Sequence, residues 1–147
     1  NLPMIVDPSG IYVRSEPPHF IAGAPPTDDM AVDPDDLTVV HEEFRDLIWP
    51  VLVQRIPSFD RLKVKHSWAG HYAYNTLDQN AIVGPAQPVE NLILANGFSG
   101  HGLQQAPGVG RAVAEKLTYG EYTSIDLNQL GYARVVAGEP FPESAII

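Results

Sequence analysis

The run Gly97-Phe98-Ser99-Gly100-His101-Gly102 holds three glycines, a hydroxyl and an imidazole within six residues, so it is where chemistry is first sought in this chain. Upstream, Asn91 precedes Leu92-Ile93-Leu94-Ala95, a continuous apolar run that reads as a strand buried on both faces. Downstream, Pro107 suits the first turn of a helix, and Gly120 suits its left-handed end, with Lys116 in the last turn. Strand, glycine turn and helix start together make a ligand site. Glycines let the backbone turn sharply and approach a ligand closely, and the unpaired N–H groups of a helix start favour an anion or an electron-rich oxygen.

Two motifs are excluded at this junction. A nucleophile elbow, G-x-S-x-G, needs Gly where His101 stands and a histidine further along the chain, and none follows His101. A dinucleotide fingerprint beginning at Gly100 and Gly102 would need Gly at position 105, which is Gln105. The remaining titratable residues give weaker signals. His66, His71 and His101 have the chemistry of zinc ligands but no specifying spacing, so no metal is expected. The acidic residues of 24–36 lie in a Pro-rich loop and lack the ordered spacing of a calcium loop. Asp78, beside Gln79 and Asn80, reads as a turn former rather than an acid catalyst.

The elements that must position the glycine turn are read from periodicity. Met4–Val6, Ile11–Arg14 and Phe20–Ala22 form a small antiparallel meander around the turn Asp7-Pro8-Ser9-Gly10. Phe44, Leu47, Ile48, Val51, Leu52 and Ile56 recur at helical spacing, giving a helix over about 41–55 that Pro50 should kink. Val64, Trp68, Tyr72 and Tyr74 suggest a long strand over 62–74, with Trp68 and Tyr72 in a core or a pocket wall. After Gly120 the sequence reads as a tail carrying Leu127, Leu130, Tyr132, Val135 and Val136.

Composition narrows the function classes. A formal charge of −9 with only nine Lys and Arg argues against a nucleic-acid partner. No apolar run approaches the ~20 residues that span a bilayer. With no cysteine there is no disulfide, thiolate nucleophile or cysteine-type zinc site, and the compartment is not identified.

Residues 68–120 resemble the C-terminal part of the D-amino acid oxidase and sarcosine oxidase family of FAD-dependent oxidoreductases. The likeness rests on Trp68-Ala69-Gly70, Thr76-Leu77-Asp78, Ile82-Val83-Gly84-Pro85, Asn91–Ala95, Gly97–Gly102, Gly108-Val109-Gly110 and Gly120, in the family's order. It implies an α+β fragment of a two-domain flavoprotein, an antiparallel or mixed sheet with helices that includes the last strand and helix of the FAD domain. By the same resemblance, residues 1–90 belong to the substrate domain, 91–120 to the FAD domain and 121–147 to a C-terminal tail, and the Rossmann unit lies in a longer parent. The parent's cofactor is then FAD, and Gly97, Phe98, Ser99, Gly100, His101, Gly102, Leu103 and Gln104 are the cofactor-binding residues. Substrate-pocket candidates are His71, Tyr72, Tyr74 and Gln104. His71 falls where some sarcosine oxidases carry a flavin-linked cysteine, although an exposed histidine is the simpler reading.

Two departures from the family pattern bear on the substrate. Gln104 stands where those enzymes hold a lysine for the substrate carboxylate, and Ile21 approximately replaces the lysine associated with oxygen activation. The resemblance therefore implies hydride transfer from an amine or amino acid to flavin, in a dehydrogenase more than an oxidase. The alternative is an assembly or interaction protein without turnover. The partner expected is a small-molecule substrate, and the isolated chain is expected to self-associate through its apolar strand and helix.

Overall fold

The computed structural model describes residues 2–27, 30–89 and 91–143, and the chain divides into two compact units, Asn1–His71 and Tyr72–Ile147.

In the first unit, β1 (Ile5–Val6), β2 (Tyr12–Glu16) and β3 (His19–Gly23) form the expected antiparallel meander, with Ile5 and Ala22 both opposite Val13. The first turn is fixed by Asp7, whose carboxylate accepts the Ser9 N–H at 2.9 Å while its carbonyl accepts that of Gly10 at 2.8 Å. Residues 41–55 are helical as expected. The run is composite, however: α1 (His41–Glu43), a π-helical turn (Phe44–Ile48) and α2 (Trp49–Arg55). Pro50 has no N–H for the carbonyl of Asp46 and its ring crowds that carbonyl, and the widened turn just before it relieves the conflict. Ile11, Val13, Leu52 and Phe59 make the core.

The second unit pairs β4 (Ile82–Pro85) antiparallel with β5 (Ile93–Asn96), Val83 opposite Ala95. Helix α3 (Gly102–Tyr119) follows, then a 3-10 turn (Asn128–Leu130) and α4 (Tyr132–Ala137). Ala81, Val83 and Val109 are buried with Phe98, Val113, Leu127 and Leu130 packed around them, so residues expected to be a tail help close the core.

Four local expectations need correction. The strand over 62–74 is absent: these residues have no ladder partner, and Val64, Trp68, Tyr72 and Tyr74 are exposed. Their β-branched and aromatic side chains suit a pleated surface, but that preference is realised only where a neighbouring strand accepts the backbone bonds. Trp68, 68 % exposed, is accordingly not a core residue. β5 is not buried on both faces. It pairs only with β4 among the described residues, and Leu92, Ala95 and Asn96 are exposed. The long helix begins at Gly102, so Pro107 lies inside it. The bond Pro107 cannot make belongs to the carbonyl of Leu103, in a first turn whose side chain is 88 % exposed, where water can serve that carbonyl.

Candidate functional site

The junction between β5 and α3 is a tight reversal built on left-handed backbone. Gly97 has φ +68°, Ser99 φ +47° and Gly100 φ +95°. The His101 N–H donates to the Phe98 carbonyl at 2.9 Å, closing a β-turn whose two central residues both have positive φ, as in type I′. Glycine is needed at position 100 for a second reason. A Cβ there would come within 2.9 Å of Cε2 of Tyr72.

Ser99 is the one non-glycine residue of this reversal with left-handed φ, a conformation that costs on the order of 1 kcal/mol or more and persists only where surroundings over-determine it. Three hydrogen bonds do so. Its N–H donates to the Ala73 carbonyl at 3.1 Å, its Oγ accepts the Asn75 N–H at 2.9 Å, and the hydroxyl donates to the Gly97 carbonyl at 3.3 Å. Ser99 is therefore a buried clamp, 1 % exposed, with its hydroxyl committed to the fold.

Helix α3 starts where the reversal ends. Its first capping bond runs from the Gln105 N–H to the His101 carbonyl at 3.1 Å, so the amides of Gly102, Leu103 and Gln104 precede any i−4 acceptor within the helix. These amides sit at the positive end of an 18-residue helix. A Cβ on Gly102 would meet only ordinary contacts, 3.5 Å from Phe98, so the chain's own packing does not demand glycine there. What the missing Cβ does is leave the helix start open to close approach. Such a donor set fits the electron-rich oxygens of a flavin ring. On the other flank of the reversal, an open cleft of about 320 Å³ is lined by Ala73, Tyr74, Asn75, Thr76, Ile82, Asn96 and Gly97.

In the second unit Tyr72 lies against Gly100, and Tyr74 lines the cleft together with Gly97. Phe98 divides its role, packing against the core formed by Ala81, Val83 and Val109. His101 occupies the position before the helix without capping it through its side chain. Leu103 and Gln104 are exposed on the first turn. His71 is exposed and belongs to the first unit.

Sequence reading missed the residues that support the reversal. Asn75, Asp78, Asn80 and Arg134 are all at most 9 % exposed. Asp78 is a turn former as expected, accepting the Asn80 N–H at 3.2 Å, but it is also ion-paired at 2.9 Å with Arg134, 56 residues away. A lone arginine among Tyr132, Val135 and Val136 was the available signal. Glu115, 7 % exposed, was missed too. It accepts bonds from Arg111, Thr123 and Ser124, and these donors hold its carboxyl far below the usual carboxylate range, the Ser124 hydroxyl contributing most.

The family model described as FAD dependent oxidoreductase matches residues 1–116. The chain belongs to that family. Its relatives include the FAD-dependent oxidoreductase domain-containing protein 1 of Bos taurus, 46 % identical over 99 % of this chain and 30 % of that protein. The homolog from Drosophila melanogaster is 38 % identical over 97 % of this chain and 27 % of its own length. The crystal structure of L-proline dehydrogenase from P. horikoshii superposes with a TM-score of 0.78 at 30 % identity, covering 94 % of this chain and 36 % of that one. The chain therefore spans about 30 % of the curated relatives it matches, and the α+β fold is that of part of a larger flavoprotein. FAD is the cofactor of the family to which the full-length protein belongs. No helix among the described residues is long and apolar enough to cross a membrane.

Proposed function

We infer that the full-length protein is an FAD-dependent dehydrogenase of amines or amino acids, and that this chain supplies the turn facing the flavin ring and part of the substrate pocket. The observation that carries the reading is the open start of α3, where the Gly102, Leu103 and Gln104 amides follow a reversal with left-handed φ at Gly97, Ser99 and Gly100. When bound, FAD supplies the hydride acceptor. The chain's own part is electrostatic: fixed N–H dipoles at the positive end of α3 favour negative charge placed before them, with no reorganisation needed.

Residues 1–90 would then contribute to the substrate domain and 91–120 to the FAD domain, joined here by the β4–β5 ladder. On this reading Tyr72, Tyr74 and Gln104, all of the second unit, are the residues of the substrate side. The similarity to an L-proline dehydrogenase supports a secondary amino acid as substrate class. Gln104 is a neutral amide, which binds a carboxylate less strongly than a cation does.

The experiment is anaerobic flavin bleaching of the full-length protein with a panel of secondary amines and amino acids, including L-proline and sarcosine. Bleaching by at least one secondary amino acid is expected, with sarcosine slow and improved by Gln104→Lys. A flavin that stays oxidised across the panel would sink this reading in favour of a flavoprotein acting in assembly without turnover.

A further inference from the structure

The family match ends at residue 116, yet the second unit is not complete there. Leu127 and Leu130 pack on the core at Ala81, Val83 and Val109, and Arg134 on α4 reaches the segment that precedes β4. Its Nη2 donates to the carbonyls of Asn80 and Ala81 at 3.2 and 3.0 Å and to Asp78 Oδ1 at 3.2 Å, while Nε lies 2.9 Å from Asp78 Oδ2. The side chain of Asp78 is fully buried and that of Arg134 is 8 % exposed. Asp78 Oδ2 also accepts the Phe141 N–H at 3.0 Å, and Asn80 Nδ2 donates to the Phe141 carbonyl at 3.1 Å. The segment beyond the family match is thus tied to the 75–81 loop by charge and by backbone.

That loop in turn holds the glycine reversal. Asn75 Nδ2 donates to Asp78 Oδ1 at 2.8 Å and to the Asn80 carbonyl at 2.7 Å, which fixes the residue whose own N–H reaches Ser99 Oγ at 2.9 Å. A continuous path runs from Arg134 through Asp78 and Asn75 to Ser99, the residue that needs the most outside support for its φ of +47°.

We propose that Arg134, from the segment beyond the family match, is a positioning residue for the cofactor-facing turn at Gly97–Gln104. The assignment of that turn to the cofactor rests on the function inferred above, whereas the link from Arg134 to the turn rests on the hydrogen bonds alone. Without the guanidinium, Asp78 is a buried carboxylate facing no cation, and the rearrangement that relieves this loosens the Asn75 anchor.

The test compares the full-length protein with Arg134→Lys, which keeps the charge but not the fork, and with the pair Arg134→Met and Asp78→Asn, which removes both charges. Amide hydrogen exchange at 97–104 is measured on the flavin-free protein, and FAD affinity by titrating that protein with FAD. If the paired variant keeps the turn ordered about a tenth of the time, exchange there quickens and the FAD Kd rises about tenfold. Arg134→Lys should fall between it and the wild type, and exchange in β1, β2 and β3 should not change. Wild-type exchange at 97–104 in the folded paired variant overturns the proposal. Should that variant not fold, wild-type exchange in Arg134→Lys overturns it instead. A loosened turn with unchanged FAD affinity would overturn the cofactor assignment while the link to Arg134 stands.

Discussion

The two units of this chain are held together in different ways. In the first, the core is Ile11, Val13, Leu52 and Phe59, and charged pairs such as Arg14 with Glu16 and Arg45 with Asp46 stay at the surface. In the second, Asn75, Asp78, Asn80, Ser99, Glu115 and Arg134 are all buried, beside a small core of Ala81, Val83 and Val109. Apolar contacts are non-directional and tolerate small shifts, whereas a buried polar group holds its partner at one distance and angle or costs stability. The unit that carries the glycine reversal is the one built on directional bonds. A turn with left-handed Ser99 has to be held from outside, and the buried polar network does that.

The sharpest way to break this comparison is to remove one group from each core. Asp78→Ala leaves the Arg134 guanidinium buried without its carboxylate and should cost about 3–5 kcal/mol. Val13→Ala, at a residue 2 % exposed in the first unit, removes two methyl groups and should cost about 1.5–3 kcal/mol. Hydrogen exchange resolved by unit reads both, and a smaller loss at Asp78 than at Val13 would show that the polar network does not dominate the second unit.

A finer comparison sets two left-handed glycines of the second unit against each other. Gly100→Ala and Gly120→Ala should each cost about 1 kcal/mol from backbone strain, since φ is +95° and +81°. Only Gly100 lies in the reversal, and a Cβ there also meets the Tyr72 ring, while nothing lies within 4 Å of one at Gly120. Denaturant unfolding should therefore show the larger loss for Gly100→Ala, and FAD titration of the full-length protein should weaken for Gly100→Ala alone.

The smallest effect expected is that of acid on the anchor of the 122–124 segment. Hydrogen bonds from Ser124, Arg111 and Thr123 depress the Glu115 carboxyl below its ordinary value of 4.5, so its contribution is present above that pH and is lost as pH falls further towards the folded value. Stability followed from pH 6 downward should begin to fall near the ordinary carboxylate range, and Glu115→Gln should flatten part of that slope. An unchanged slope would mean that the Glu115 contacts do not outlast unfolding of their neighbours.

Short-range chemistry in the amino-acid order determined the meander around Asp7–Gly10, the helical run at 41–55, the turn at Asp78–Asn80, the glycine reversal and the end of α3 at Gly120. Each follows from side-chain period or from which residues tolerate positive φ, both local properties of the chain. The same reading failed where the outcome depends on a distant partner. Residues 62–74 have strand-like side chains but no ladder, and β5 is apolar yet half exposed, because a strand's state is set by what lies beside it. Pro107 marks a helix start by local rule, but α3 extends back to Gly102, where the reversal delivers the chain already in helical register. Only the tertiary structure brought Arg134 to Asp78 and, through Asn75, to Ser99. Those contacts join residues 56 and 24 positions apart, and no periodicity encodes which buried carboxylate a given guanidinium will meet.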